Sequence, residues 1–351
     1  MRKIFFVFFL ILPFVPAISI DCPDAKNDGT INVLDIVRLV KAMNQNDIAY
    51  DLTGDNKIDV QDLQAVADKI GASCTACAQG LVLDESGTNC IIDSSGNCGK
   101  WRILSHPTWT PDLQQYHYDN FNIFFHFNLE PQANGSTNLG GMDAQTARNF
   151  AQTAHSKNDL AILVVGGWGY GPEFNGATKN SNRAKFVQQI TTAVRDYGYD
   201  GITMDWEDEV NNPNLVQTMK DLRTEFNKIT PRPLLLIDIC CDVTVDSIVQ
   251  ISPYVDSVNT MDYETVVQPY FSELTAAGVP ASKIINGLGF YFDEGAYIKD
   301  EARARSEIQF VLDHEMKGVE VWDSSNITGS NDLRMKAISS MLGTTPACRP
   351  A

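Results

Sequence analysis

The chain has no cluster of basic residues and little positive charge from which to build one. Its 27 Lys and Arg face 44 Asp and Glu, a formal net charge of −17 across 351 residues. That balance leaves no electrostatic footprint for nucleic acid, and such partners are excluded. A neutral partner meets no repulsion from the same surface. The chain also lacks an apolar stretch of the ~20 residues that a bilayer span requires, so no membrane partner is expected. Its one long apolar run, residues 4–15, follows Arg2 and Lys3 and leads to Ala17-Ile18-Ser19. This is the pattern of a signal peptide over residues 1–19, and a secreted protein is expected. A third scarcity lies in residues 72–100, which are rich in Gly, Ser and Asn and too poor in apolar residues for a core. Four of the eight cysteines, Cys74, Cys77, Cys90 and Cys98, fall there. In an exported chain disulfides are the default staples for such a spacer, with four zinc-binding thiolates the competing reading. Cys240 and Cys241 stand together at the end of an apolar strand and read as structural, because nothing nearby marks either as a nucleophile. Cys22 and Cys348 have no evident partners.

An internal repeat follows the signal. Asp24, Asp28, Asn32 and Asp35 recur 27 residues later as Asp51, Asp55, Asp59 and Asp62. Each set places oxygen side chains at positions 1, 5, 9 and 12 of a loop, the spacing with which a calcium loop wraps its ion. Thr53 stands at position 3 of the second loop, where the first has the cationic Lys26. An amphipathic segment with helical spacing follows each loop. The alternative is a pair of acidic helix-capping loops without metal. The repeat, with Asp at position 12, resembles a dockerin over residues 20–71. That resemblance implies a small all-α module, bound calcium and a cohesin-type scaffold protein as partner.

From Trp101 to residue 345 short apolar strands alternate with helical segments, the signal for a parallel α/β fold. Strands are expected at 102–105, 122–127, 160–165, 201–205, 234–239, 257–261, 284–290 and 319–322. Helices are expected at 144–156, 183–197, 215–228, 306–315 and 332–342. Eight strands in this length fit a compact (β/α)₈ TIM barrel, whose chemistry sits at the C-terminal ends of the strands.

The fourth strand reads Asp200-Gly201-Ile202-Thr203-Met204-Asp205-Trp206-Glu207. Residues 203, 205 and 207 share a face of a strand, so two carboxylates project together at the barrel rim. Such a pair is costly unless used. This strand resembles the DGxDxDxE pattern of family 18 glycoside hydrolases, the chitinases and their relatives. Val165-Gly166-Gly167-Trp168, Met261-Asp262-Tyr263-Glu264, Gly287-Leu288-Gly289-Phe290-Tyr291 and Val321-Trp322-Asp323 are similar to the family's third, sixth, seventh and eighth strands, in order. The likeness implies substrate-assisted retention, in which the substrate's acetamide oxygen attacks the anomeric carbon. Glu207 is implied as the acid and base, Asp205 as the partner of the acetamide N–H, and Tyr263 as a donor to the acetamide oxygen. Trp322 is implied as the floor beneath the sugar, and Trp168, Met261, Tyr291 and Asp200 join the substrate-binding set. Asp200 reads as a support for strand geometry more than as a reactant. Trp109 and Tyr170 are candidate stacking platforms, while His117 and His126 read as structural.

Two positions depart from the family pattern. Thr203 replaces the first Asp of the triplet, so its hydroxyl is expected to donate to a permanently ionised Asp205. Glu264 replaces the usual Asp or Asn after the tyrosine. The function implied is hydrolysis of β-1,4-linked N-acetylglucosamine chains, with no cofactor for catalysis. An endo-β-N-acetylglucosaminidase on N-glycans, a chitinase-like lectin without turnover and a scaffold component defined by the amino-terminal repeat are the alternatives. The presence of Glu207 argues against the lectin.

Overall fold

A computed structural model describes residues 36, 39–40, 43, 57, 59–68, 81–83, 90–92, 99–263, 268–290 and 298–348. The chain divides into two compact units, Met1–Ile91 and Ile92–Ala351. In the first, the helix Val60–Ala67 starts on a capping box: the Gln61 N–H donates to Asp59 Oδ1 and the Asp59 N–H to Asp62 Oδ2, both at 2.8 Å. The two carboxylates of the second loop that can be seen therefore serve as helix caps. Asp24, Asp28, Asn32, Asp35, Asp51, Thr53 and Asp55 lie outside the described residues, as do the signal segment, Glu264 and Tyr291. Strands Leu81–Leu83 and Cys90–Ile92 pair with each other.

The second unit is a barrel of parallel strands. They are β1 (Trp101–Pro107), β2 (Ile123–Pro131), β3 (Leu160–Gly166), β4 (Gly201–Asp205), β5 (Leu234–Ile239), β6 (Ser257–Thr260), β7 (Ile284–Gly289) and β8 (Gly318–Trp322). Each pairs with the next, and β8 pairs with β1 to close the ring. A short antiparallel strand, Thr137–Leu139, extends from β2. The main helices that follow the strands are α1 (Gln115–Tyr118), α2 (Ala144–Ser156), α3 (Arg183–Tyr197), α4 (Asn212–Phe226), α5 (Val245–Ile251), α6 (Gln268–Ala276), α7 (Glu301–Asp313) and α8 (Leu333–Leu342), with a further short helix, Gly171–Ala177, between β3 and α3. This is the expected TIM barrel.

Alternation along the strands sorts the core into two layers. Outward residues such as Phe124, Leu163, Ile202, Met204 and Ile237 pack against the helices in one large cluster. Inward residues Ile103, Ile123, Phe125, Ile162, Leu234, Leu236 and Ile285 fill the lower barrel as a second cluster. Above that apolar plug the inward residues turn polar: Ser105, Thr203, Asp205, Asp238, Asn259 and Glu320 are all buried. The plug withholds water from beneath these groups and so sets the electrostatics of the site.

Candidate active site

Asp205 ends β4 and Glu207 follows two residues later. Between them Trp206 is buried against the outer core, stacked on Phe174 with ring centroids 4.8 Å apart, and its indole N–H donates to the Asp208 carbonyl at 2.9 Å. Anchoring Trp206 outward turns the carboxyl on either side of it inward. The neighbouring strand end is just as fixed. Gly166 pairs in register with Asp205, the Gly167 N–H donates to the Asp205 carbonyl, and Asn128 Nδ2 donates to the Gly166 carbonyl. Gly166 has φ +99°, and a Cβ there would collide with the Phe174 ring and the Asp205 carbonyl. Glycine is required at this position so that β3 can approach the acidic strand.

A cleft of about 540 Å³ opens over these strand ends. Asp205, Glu207, Met261, Tyr263 and Trp322 line it, together with Asp238 and Glu320. Trp322 lies on Tyr263, centroids 6.1 Å apart and planes 22° from parallel, and meets the edge of Phe127 at 5.0 Å. Trp109 and Trp168 stand exposed on the rim. Tyr170 also lines the cleft and donates to Glu130 Oε1 at 2.8 Å.

The carboxyls share a common electrostatic problem. Burial pushes Asp205 well above the usual carboxylate range, and the neighbouring Glu207, Asp238 and Glu320 push it further. Burial also raises Glu207, Asp208 adds to the effect, and a hydrogen bond from Asp205 partly offsets it. Burial and then Glu320 raise Asp238, against the pull of the Asn259 amide, which donates to its Oδ1 at 2.7 Å. Burial lifts Glu320 to about 7, although the Ser105 and Tyr263 hydroxyls donate to its Oε1 at 2.7 and 3.1 Å. Like charges in one dry space cannot all ionise, so the cluster holds protons that isolated carboxylates would have released.

Two expectations are corrected by this geometry. Asp200 precedes β4 at the opposite end of the barrel and is buried away from the cleft. It accepts the Ala161 N–H at 2.7 Å and pairs with His155 Nε2 at 2.8 Å, so it ties β3 to β4, in keeping with its reading as a support for strand geometry, and it is not among the residues that line the cleft. Thr203 does not hold Asp205 through a hydrogen bond, and burial with the neighbouring carboxyls favours the neutral form of Asp205 over a permanent anion. The Thr203 hydroxyl makes no hydrogen bond of ordinary geometry, although it lies near enough to Asp238 to lower that carboxyl's proton affinity. Sequence reasoning also missed Asp238 and Glu320. Each is a lone carboxylate at an inward position of an otherwise apolar strand, which is the signal that could have found them.

His126 pairs with the Tyr199 hydroxyl at 2.6 Å and stacks on Phe150, while His117 Nδ1 accepts the Gln114 N–H, so neither reaches the cleft. Cys240 and Cys241 are bonded to each other at the end of β5, and Cys240 Sγ rests 3.7 Å from Glu207 Oε2. With Glu207 they form the one compact group of metal-ligand types among the described residues, but the disulfide leaves neither sulfur a thiolate to offer. Cys348 is also in a disulfide.

The model of glycosyl hydrolases family 18 matches residues 100–296. The chain belongs to that family. Its glycoside hydrolase barrel is 30% identical over 171 residues to "Probable chitinase 2" of Drosophila melanogaster, a stretch covering 37% of this chain and 34% of the fly protein. The chain thus matches about a third of that relative's length. Among solved structures, the class V chitinase of Nicotiana tobaccum shares 14% identity and a TM-score of 0.61, covering 70% of this chain and 99% of its own. A family 18 N-acetylglucosaminidase from Paenibacillus barengoltzii shares 16% identity and a TM-score of 0.60, covering 69% and 100%. These two likenesses are of fold.

The raised Glu320 has a consequence for the stability of this family 18 barrel. A carboxyl whose pKa rises on folding, here from 4.5 to about 7, binds protons more tightly when folded. Its contribution is complete below pH 4.5 and is lost as pH climbs through 7. We expect Glu320→Gln, neutral at every pH, to flatten the decline of folding stability between pH 5 and 8, by at most about 3 kcal/mol at the alkaline end, seen as a flatter Tm curve. Melting curves of the two proteins that stay parallel across that range would show that Glu320 does not titrate there.

Proposed function

We propose that the barrel hydrolyses β-1,4-linked N-acetylglucosamine chains, chitin or its oligosaccharides, by a substrate-assisted retaining mechanism. The observation that carries this reading is the Asp205–Glu207 pair, hydrogen-bonded to each other at the base of a cleft beside Tyr263 and Trp322. The acetamide oxygen of the bound sugar attacks its own anomeric carbon, while Glu207 gives its proton to the leaving oxygen. An oxazolinium ion results, and Asp205, ionised against the acetamide N–H, stabilises its positive charge. Glu207, now a carboxylate, deprotonates the water that opens the ring. Tyr263 turns from Glu320 to the acetamide oxygen as the substrate enters, and the indole of Trp322 offers a flat face to the sugar's C–H groups. Product release from chitooligosaccharides, with the β-anomer formed first, is the expected result. Cleavage of a high-mannose glycopeptide instead would favour the N-glycan endo-glycosidase. Binding of both without release of product would favour the lectin and overturn the assignment.

The same proposal takes the protein as secreted and its amino-terminal repeat as a calcium module for a scaffold protein. Asp59 and Asp62 fit either role, being helix caps in position to join a metal loop. Calorimetry on the full chain is expected to show calcium uptake that Asp51→Ala weakens. No uptake at millimolar calcium would leave the repeat as two capping loops.

A further inference from the structure

Asp205, Glu207, Asp238 and Glu320 face one interior space, and none forms an ion pair with a cationic side chain among the described residues. The charged groups that bear on Asp238 are Glu320 from β8 and Glu207 beyond the end of β4, with Asp205 beside it on the neighbouring strand. Asp205 and Asp238 are partners in strand register, so their side chains stand side by side on the inner wall. One inward step below Asp205, Thr203 offers only a hydroxyl. The Asn259 amide occupies Asp238 Oδ1, and the Ser257 hydroxyl holds that amide by donating to Asn259 Oδ1 at 2.9 Å. Asp238 is thereby fixed through Oδ1, and Oδ2 is the oxygen that the amide does not hold, with the Thr203 hydroxyl also bearing on the carboxyl.

We propose that Asp238 is the positioning residue that takes the proton of Asp205 when substrate arrives and returns it when product leaves. This rests on the proposed function. In the free enzyme Asp205 holds the proton and donates it toward Glu207. An arriving acetamide N–H needs an acceptor, so the Asp205 O–H bond breaks and an O–H bond forms on Asp238 Oδ2. The charge of the pair does not change. Glu207 loses its hydrogen bond from Asp205 and keeps its own proton for the leaving group. Glu320 is worse placed for the task, because it stands on β8, which does not pair with β4, whereas Asp238 is the register partner of Asp205. The raised proton affinities of Asp205 and Asp238 agree with a proton shared between them.

The test compares pH profiles of kcat on a chitooligosaccharide for the wild type, Asp238→Asn, Asp238→Glu and the double variant Thr203→Asp/Asp238→Asn. Asp238→Asn should lower kcat roughly 10- to 100-fold, less than loss of the acid itself, and move the acid limb with little change in KM. Asp238→Glu should keep more activity than Asp238→Asn. The double variant should recover at least about tenfold over Asp238→Asn, because position 203 restores a carboxyl to the inner wall beside Asp205. An unmoved profile in Asp238→Asn, or equal losses in all three variants, overturns the proposal. A second measurement needs neither turnover nor a variant fold. Carboxyl ¹³C titration of aspartate-labelled wild-type protein should show Asp205 and Asp238 releasing their protons in two coupled steps. Two independent titrations overturn the proposal, whereas wild-type protein inert toward the sugar while the coupled titration holds overturns only the substrate assignment.

Discussion

Replacing Glu207 by Gln should lower kcat on chitooligosaccharides by ~10²–10⁴-fold and leave binding of the same sugar intact. The size of the effect follows from the group's double duty, since one carboxyl protonates the leaving oxygen and then activates water. Its environment suits the first task. Burial and the adjacent Asp208 raise its proton affinity, so it stays protonated at a pH where a surface glutamate would not. Gln keeps the shape of the side chain and an oxygen that can accept the hydrogen bond from Asp205. Trp206, which sets the backbone, is untouched. The cleft walls that would meet a sugar, Trp322 and Trp168 among them, belong to other strands and loops. Rate and binding should therefore separate. A variant that keeps half the wild-type rate removes Glu207 from the role, and one that loses binding as well places the defect in the cleft and not in proton transfer.

Much of the barrel could be read from the chain, and the reasons are local. Strands 201–205 and 234–239 form over the expected residues because each is a short, largely apolar run with a clear local start, after Asp200 in one case and after Pro233 in the other. Helix α2 begins where the Asp143 side chain accepts the Thr146 N–H, and α3 ends where Gly198 turns left-handed at φ +80°. Helix α4 begins three residues before the expected 215, because the Asn211 side chain caps the Asn214 N–H and Pro213 fits the first turn. Apolar periodicity starts only at Leu215, so it marked the buried face and not the cap. Helix α7 likewise starts at Glu301 on its Asp300 cap, ahead of the expected 306. The acid pair was legible because spacing of two on one strand is a local fact. The partnership of Asp205 with Asp238 and the reach of Tyr263 to Glu320 were not, because they join strands distant in sequence and exist only once the ring has closed. Asp200 shows the converse error: membership of a motif says nothing about which end of the strand a residue occupies.

The Asp205→Asn variant should show the second largest loss, ~10²–10³-fold in kcat with KM raised only several-fold. In the free enzyme Asp205 is a hydrogen-bond donor to Glu207, and an Asn amide can donate in its place. Contact geometry is thus nearly conserved, and the difference lies in charge. Asp205 can ionise when the acetamide N–H replaces Glu207 as its partner, and the anion then sits against the positive charge that grows on the oxazolinium ring. Asn stays neutral throughout, so it binds the substrate but gives the transition state no added stabilisation. The apolar plug below β4 makes that missing charge costly, because no water can reach Asp205 from beneath to replace it. Asp205→Ala removes both the donor and the charge. If charge is what matters, the Asn and Ala variants should lie within about tenfold of each other in kcat, while Ala shows the greater loss of binding. Stability should move the other way. Asp205 is raised on folding, so its neutral replacement should melt higher than the wild type above neutral pH, where the buried carboxyl is under pressure to ionise. An Asn variant with more than a tenth of the wild-type rate would show that Asp205 acts through shape alone, and the substrate-assisted step would then lack its counter-charge.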